Sequence, residues 1–513
     1  MNYDSGLYHF NTIRWINSYP IIPGLGNLHG RLAFNQSFFT YAASLNFFPY
    51  FPYSRSIANS FLFLLIFSQV VWQLFAVSWR SIDFRKLDPL VYLPYLLVLP
   101  VLAHLAIRSN VGLDSPTPDL ASALIQLYIF MMLVQVVHDV NTGRWRDGPA
   151  MVLIIIAIAA ITIKLNNLVS SLVIATICFI CLLLFSPSRS SLLNKIVRLS
   201  FICSAIVIVW MARGYILSGY PVYPSTIGAM PVDWAVPVEV AKNEANWIYS
   251  WGRAPGVDYR EVLGNWRWFG PWFDRMIPKV EDVMYPTISA IVAMAVFFAI
   301  FIYARSHNKP LPSLFELVLL IPATLGIVFW FFTAPDPRFA QGLFWSLFIG
   351  SAVVLLSYLH RLLIRRAFIL VVVAFLLIST YFFVRPSIDA VYARADDSVA
   401  NGQGQSEPQI SDKAETPDSI HAATRNTEKK NPSVHKKVFG ISVSGFHDIK
   451  TCQMVPKSTL SGLVVYRALD PEGQCWDSPM LPSTVTLNPN LRLRVAGRIE
   501  SGFTVKKRED VVK

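Results

Sequence analysis

Ionisable side chains are sparse in this chain, and the ones that could do chemistry fall in a few short segments. "YDSGLYHF" supplies Asp4 and His9, and "GNLHGRL" supplies His29 and Arg31. "GLDSPTPDL" carries Asp114 and Asp119, and "ITIKLNN" carries Lys164. "MARGYILSGYP" adds Arg213, and "APDPRFAQG" adds Asp336 and Arg338. Carboxylates and cations drawn from separate parts of a chain suit a reaction at a phosphate ester. Cations hold the phosphate leaving group, while a carboxylate accepts the acceptor's proton or helps to hold a divalent metal. Prolines around the acids, in "SPTPD" and "PDPR", restrict the backbone and favour a preorganised site. Each residue also has a plainer role open to it. Lys164 can snorkel to a membrane surface, Arg213 can pair with a helix-end carbonyl, Asp119 can be an N-cap, and Asp336 can simply pair with Arg338.

The elements that must position these residues are membrane helices. Hydrophobic residues make up 54 % of the 513, charged residues 15 %, and the mean hydropathy is +0.45. A soluble domain carries roughly 25 % charged residues. Repeated apolar runs of near spanning length predict an all-α polytopic membrane protein with about ten transmembrane helices. Their expected extents are Ile57–Trp79, Leu90–Ile107, Leu120–Val137, Pro149–Ile163, Leu168–Phe185, Leu199–Leu217, Thr287–Ala304, Leu314–Thr333, Gly342–Tyr358 and Ala367–Val384. The formal net charge of +12 is scattered over short loops and forms no basic stripe, which argues against a nucleic-acid partner.

The loops alternate in charge. Arg80, Arg85 and Lys86; Arg144 and Arg146; Arg189, Lys195 and Arg198; Arg305 and Lys309; and Arg361, Arg365 and Arg366 mark one side. By the positive-inside rule that side is cytoplasmic. The segments carrying the candidate residues then face outward, as do the long loop 218–286 and the tail. The expected organisation is an outer N-terminal loop over 1–55 and a transmembrane domain over 56–384. A disordered linker over 385–437 and a small β-rich extracytoplasmic domain over 438–513 follow. With no charged-then-apolar leader at Met1, a further helix of roughly 20 apolar residues ahead of residue 1 is expected. In the long loop, "VPVEVAKNEANWIYSW" reads as a helix. The Trp-rich "NWRWFGPWF" suits either a headgroup-level belt or a cover over a lipid or sugar site. Cys452 and Cys475 lie in the outward tail, where a disulfide is expected. Cys178 and Cys181 form a CxxC on an apolar helix and read as packing residues. There is no metal-binding spacing and no phosphate-binding glycine loop.

The opening "LYHFNTIRWI" and "PIIPGLGNLHGR", with an acid ahead of them, resembles the first external loop of GT-C-type glycosyltransferases. These polytopic enzymes take sugars from polyprenyl-phosphate donors. By that resemblance Asp4 is the catalytic acid and Asp114 or Asp119 the second acid, while Arg338 or Arg213 holds the phosphate. His9, His29, Arg31 and Lys164 complete the expected substrate-binding set. The resemblance implies a protein of the bacterial inner membrane whose partners are membrane lipids and a lipid-linked saccharide, acting in surface polysaccharide or glycoconjugate synthesis. In that superfamily a second acid often adjoins the first; here Ser5 follows Asp4. The segments "YDSGLYH", "GLGNLHGR", "SGYPVYPS", "APDPRF" and "CWDSP" also look like an uncharacterised family of bacterial membrane proteins. Two other readings stand beside the transferase. An O-antigen polymerase or ligase would use a large outer loop with arginines, such as Arg253, Arg260, Arg267 and Arg275. A polysaccharide or lipid transporter would need charges at mid-membrane, and Glu316 is the main candidate.

Overall fold

The structure, a computed structural model, describes residues 3–47, 54–80, 88–107, 112–309, 311, 313–402, 436–438, 441–443, 452–469, 473–476, 481 and 487–505. In chain order its helices are α1 Phe10–Ser18, α2 Ser37–Ser44, α3 Ala58–Arg80, α4 Pro89–Ile107, α5 Pro118–Asn141, α6 Asp147–Ile163, α7 Leu168–Phe185 and α8 Arg189–Ser218. They continue as α9 Val238–Arg253, α10 Tyr259–Val262, α11 Phe269–Met276, α12 Tyr285–Ser306, α13 Ile321–Thr333, α14 Gln341–Leu362 and α15 Arg365–Gly402. Local signals set the ends. Thr117 caps α5 by accepting from the Asp119 amide, with Pro118 at the first turn. Gly219, at φ 82°, stops α8 in the left-handed conformation that glycine allows.

Among the described residues nine helices are long and apolar enough to cross a membrane, and the chain reads as a membrane-spanning protein. The expected span at Pro149–Ile163 is present as α6. Its 17 residues are too short to be counted with the nine, since at 1.5 Å per residue it reaches only roughly 25 Å. The centre of the bundle is α4, α5 and α14. The apolar stretches of α14 and α5 are 83 % and 78 % buried, whereas that of α8 is 11 % buried and presents Phe201, Ile208 and Val209 outward. Such a face, apolar yet uncovered, is what lipid covers.

The two ends of the bundle differ. At one end the basic connections meet acids: Lys195 pairs with Asp147 at 2.6 Å, Arg361 with Glu316 at 3.1 Å, and His138 lies 3.2 Å from Asp88. Arg85 and Lys86 lie outside the described residues. The other end carries the N-terminal stretch, the 218–286 segment and the tail. The 218–286 segment is not a loose loop, since it contains α9, α10 and α11. In α11 Trp272 and Met276 are buried, and Trp272 packs against Trp330 and Phe331.

The tail departs from expectation in three ways. α15 runs to Gly402, so the first part of the expected linker is helical; 403–435 lies outside the described residues. Among the described residues the strands pair two by two: β1 Lys436–Val438 with β2 Ile441–Val443, β3 Met454–Ser458 with β4 Val464–Ala468, and β5 Arg492–Val495 with β6 Arg498–Thr504. A two-stranded ribbon is marginal alone, and here Val465, Leu491 and Phe503 share a core with Trp15, Ile22, Leu25 and Tyr220. The third departure is that Cys452 and Cys475 are not joined by a disulfide. The Cys452 thiol points at the Cys475 carbonyl oxygen (3.1 Å), while Cys475 Sγ accepts from the Asn11 amide at 3.0 Å.

The same contacts strap the tail over the N-terminal stretch. The Trp476 amide donates to the Gly6 carbonyl at 2.7 Å and the Phe503 amide to the Pro23 carbonyl at 2.9 Å. The Trp476 ring lies where a side chain at position 6 would be: a Cβ there would come within 2.7 Å of it. Gly6→Ala should therefore push Trp476 off its seat. A cost of about 1–3 kcal/mol would show as a lower Tm and faster proteolysis of the tail in the purified protein. An unchanged Tm and cleavage rate would mean that the strap is not seated as described.

Candidate functional site

Asp4 stands at the start of a π turn, Ser5–His9, that leads into α1, yet its side chain makes no capping bond to that helix. It turns instead to two guanidinium groups. Asp4 Oδ2 accepts from Arg338 Nη1 at 3.0 Å, and Oδ1 accepts from Arg31 Nη1 at 3.4 Å. Arg31 Nε donates in turn to Glu244 Oε1 of α9 at 3.3 Å. Arg338 Nε lies 3.7 Å from Asp336 Oδ1, and the same carboxylate accepts from the Arg338 amide at 3.1 Å. Lys164 pairs with Asp119 and lies 4.0 Å from the centroid of the Phe339 ring, over which the Arg338 guanidinium also lies, at 4.8 Å.

Each of these groups is held by its own scaffold. The turn bearing Arg338 is pinned by two indoles, with Trp272 Nε1 on the Pro335 carbonyl and Trp330 Nε1 on the Asp336 carbonyl, both at 2.7 Å. The connection bearing Lys164 is fixed by Asn167, which accepts from Ser122 (2.8 Å) and Gln126 (2.6 Å) and donates to the Ala160 carbonyl (2.8 Å). Asn59 of α3 holds the loop before α5 by donating to the carbonyls of Gly112, Ser115 and Thr117. Gly24, at φ 66°, lets the loop ahead of Arg31 turn where any side chain would strike the Phe503 carbonyl.

Burial alone would raise the Asp4 carboxyl, but the guanidinium charges of Arg338 and then Arg31 outweigh it and hold the group below the usual carboxylate range. Burial, then Arg338, pushes the Lys164 ammonium down to about 7. Burial also pushes His9 and His29 down to about 3, so both imidazoles are neutral at neutral pH. Anion binding that uses the Lys164 charge should therefore weaken as pH rises through about 7. Lys164→Arg keeps its charge and should move the alkaline limb of a pH–rate profile up by more than about one unit. Superimposable limbs would remove Lys164 from the anion site.

Beside the cluster lies a cavity of about 320 Å³. Phe34, Trp210, Tyr223, Ile248 and Phe339 are among its walls, and among the described residues that line it Lys164 is the one with a basic or acidic side chain. The cluster touches the cavity through Phe339 and Lys164. Arg213 acts on the cavity at one remove: its Nη1 donates to Asn35 Oδ1 at 2.7 Å, and Asn35 lines the wall.

The structure thus brings Asp4, Arg31, Arg338, Lys164 and Asp119 together. Asp119 is not the N-cap of α5, because Thr117 takes that place. Asp114 stands one residue from Ser115, whose hydroxyl meets that of Ser5 beside Asp4. His9 is buried against Tyr8 and Phe39, with Nδ1 3.0 Å from the Ser5 hydroxyl, and so bears on the site through Ser5. His29 accepts from the Arg31 amide at 3.2 Å and shapes the turn that carries Arg31. Sequence reasoning missed Glu244 and Phe339. A signal for Glu244 exists, since it lies among Ala241, Ala245 and Ile248 on the apolar stripe of α9, where a charge needs a partner. Among the described residues no group of three or more His, Cys, Asp or Glu is placed to hold a metal ion. Asp4 is met by guanidinium groups instead.

Residues 1–345 match the family described as a domain of unknown function, DUF8201, and the chain belongs to that family. The match takes in every residue of the cluster and ends just beyond the turn that carries Arg338; the tail lies outside it. No curated protein and no solved structure matches the chain.

Proposed function

We propose that the chain is a glycosyltransferase of the GT-C kind. It uses a polyprenyl-phosphate-linked sugar or saccharide at the outer face of the cytoplasmic membrane, in surface polysaccharide or glycoconjugate synthesis. One observation carries the reading: Asp4 is held between Arg31 and Arg338 beside an apolar cavity whose polar end is Lys164. An apolar chain suits the cavity, and guanidinium forks suit a phosphate. The positive-inside rule supports a cytoplasmic place for the basic connections at the opposite end of the bundle, and with it a cluster and strapped tail that face outward.

The resting cluster is an ineffective base, because two arginines stabilise the Asp4 carboxylate. A phosphate group that takes up the guanidinium groups weakens that stabilisation and raises the Asp4 pKa. Asp4 is then suited to accept the proton of the attacking hydroxyl while the arginines carry the charge that develops on the leaving phosphate.

The polymerase or ligase reading is weaker. Of its four arginines, Arg253 donates to the carbonyls of Phe332 and Thr333 and Arg275 to that of Gly252, which leaves Arg260 and Arg267 to meet a saccharide. The transporter reading is weaker too, because Glu316 pairs with Arg361 at the end of the bundle away from the cluster. The test is the surface-glycan profile of a deletion strain. Loss of a glycan species, restored by the wild-type gene, supports the transferase; an unchanged profile counts against it.

A further inference from the structure

The arginines at the site are already matched by carboxylates. Asp4, Asp336 and Glu244 face Arg31 and Arg338, and Asp119 faces Lys164. An incoming anion must replace one of them. Asp336 is fixed by its bond to the Arg338 amide and by Trp330 on its own carbonyl. Glu244 differs in its setting: it rides on α9, whose Ala245, Ile248 and Tyr249 line the apolar cavity, so a chain entering the cavity bears on the helix that carries it. Its bond to Arg31, at 3.3 Å, is longer than the 2.7–2.9 Å of a strong charge-assisted pair, as is the Asp4 contact to the same arginine at 3.4 Å.

A second feature marks the same spot. The Tyr223 hydroxyl is buried and makes no hydrogen bond among the described residues, although Tyr223 lines the cavity. An unsatisfied buried hydroxyl is costly unless a ligand uses it. It lies close to Glu244: a Cβ on Gly30 would be 3.1 Å from the Tyr223 hydroxyl and 3.6 Å from Glu244 Oε2. Gly30 has no side chain, and this keeps the space between them open. Burial and the neighbouring Glu244 carboxylate both raise the phenol pKa, so it stays protonated as a donor.

We propose that the Glu244 carboxylate occupies, in the ligand-free protein, the place of a phosphate monoester or diester group. The ligand displaces it from Arg31 and takes a further hydrogen bond from the Tyr223 hydroxyl. This rests on the phosphate-binding reading above and deepens it, because it names Glu244 as an internal competitor and Tyr223 as a specificity-determining donor.

The experiment measures binding of farnesyl phosphate, farnesol and inorganic phosphate to the purified full-length protein in detergent. Glu244→Gln removes the competing charge and should bind farnesyl phosphate about 5- to 10-fold more tightly than wild type, the scale of an ordinary coupling between sites. Tyr223→Phe should bind it several-fold more weakly, and Arg31→Gln more weakly still. Farnesol affinity should not respond to Glu244→Gln. Weaker or equal binding of farnesyl phosphate by Glu244→Gln overturns the displacement proposal while leaving the phosphate site itself standing, provided that Arg31→Gln loses binding. Wild-type binding that does not depend on Arg31, or no binding at all, overturns both. A farnesyl phosphate affinity well above that of inorganic phosphate assigns the group to a lipid head. Equal affinities, both tightened by Glu244→Gln, assign it to a free phosphate.

Discussion

Asp4→Asn should yield a protein that inserts and accumulates normally but turns over about 10²–10⁴ times more slowly, the usual range for loss of a general base. The substitution keeps the size of the side chain and one acceptor oxygen. It removes the charge that two guanidinium groups share, at 3.0 and 3.4 Å. The stability cost should be about 1–3 kcal/mol, as for hydrogen bonds to charged groups. That exceeds the near-zero cost of an exposed site, because the Asp4 side chain is only 15 % exposed. The pH dependence separates the two effects. The folded-state pKa of Asp4 lies below its ordinary value, so the stability from its ionisation is complete above the ordinary carboxylate range. It is lost as pH falls through the lowered value. Asp4→Asn should therefore be less stable than wild type at neutral pH, and the gap should close on acidification. Turnover within a few-fold of wild type, at matched protein level, would remove Asp4 from the chemistry.

Arg338→Lys should be nearly as damaging to turnover, at roughly 10²-fold or more by analogy with loss of a single charge-stabilising donor. Arg338 reaches Asp4 with Nη1, leans on Asp336 with Nε, and lies over the Phe339 ring. An ammonium can make one of these contacts at a time, and it has no planar fork for two phosphate oxygens. Arg338→Ala should cost stability as well, because Asp4 then loses its 3.0 Å contact to Arg338. Steady-state kinetics and thermal melts on both variants check this. Full activity in Arg338→Lys would mean that the guanidinium is structural and that the phosphate is held elsewhere.

The helices were legible because span length and apolar composition act locally. α4, α7 and α12 begin and end within a few residues of the expected spans. Asp4, Arg31, Lys164 and Arg338 were also legible as candidates, because a charge beside an apolar run is rarely idle. Their pairing was not. Asp4 meets Arg338 across 334 positions of chain, a meeting that tertiary packing sets and local sequence does not. Lys164 looked free to snorkel until the Asn167 network turned its connection inward onto Asp119. The tail misled in the opposite sense. Its alternating pattern signals strands of a domain with its own core, whereas Val465, Leu491 and Phe503 share theirs with Trp15 and Ile22 of the opening stretch. The same docking turns Cys475 toward Asn11 and away from the disulfide that compartment and composition suggested. Glu244 went unnoticed because its role depends on Arg31, far away in sequence.

The central claim is that the protein consumes a polyprenyl-phosphate-linked saccharide through Asp4. The most direct measurement is the pool of such lipids, read by mass spectrometry from cells that lack the protein and from the same cells complemented with wild type or Asp4→Asn. The account predicts that one lipid-linked saccharide accumulates in the deletion strain, returns to its normal level with wild type, and stays high with Asp4→Asn. An identical pool in all three strains would contradict it.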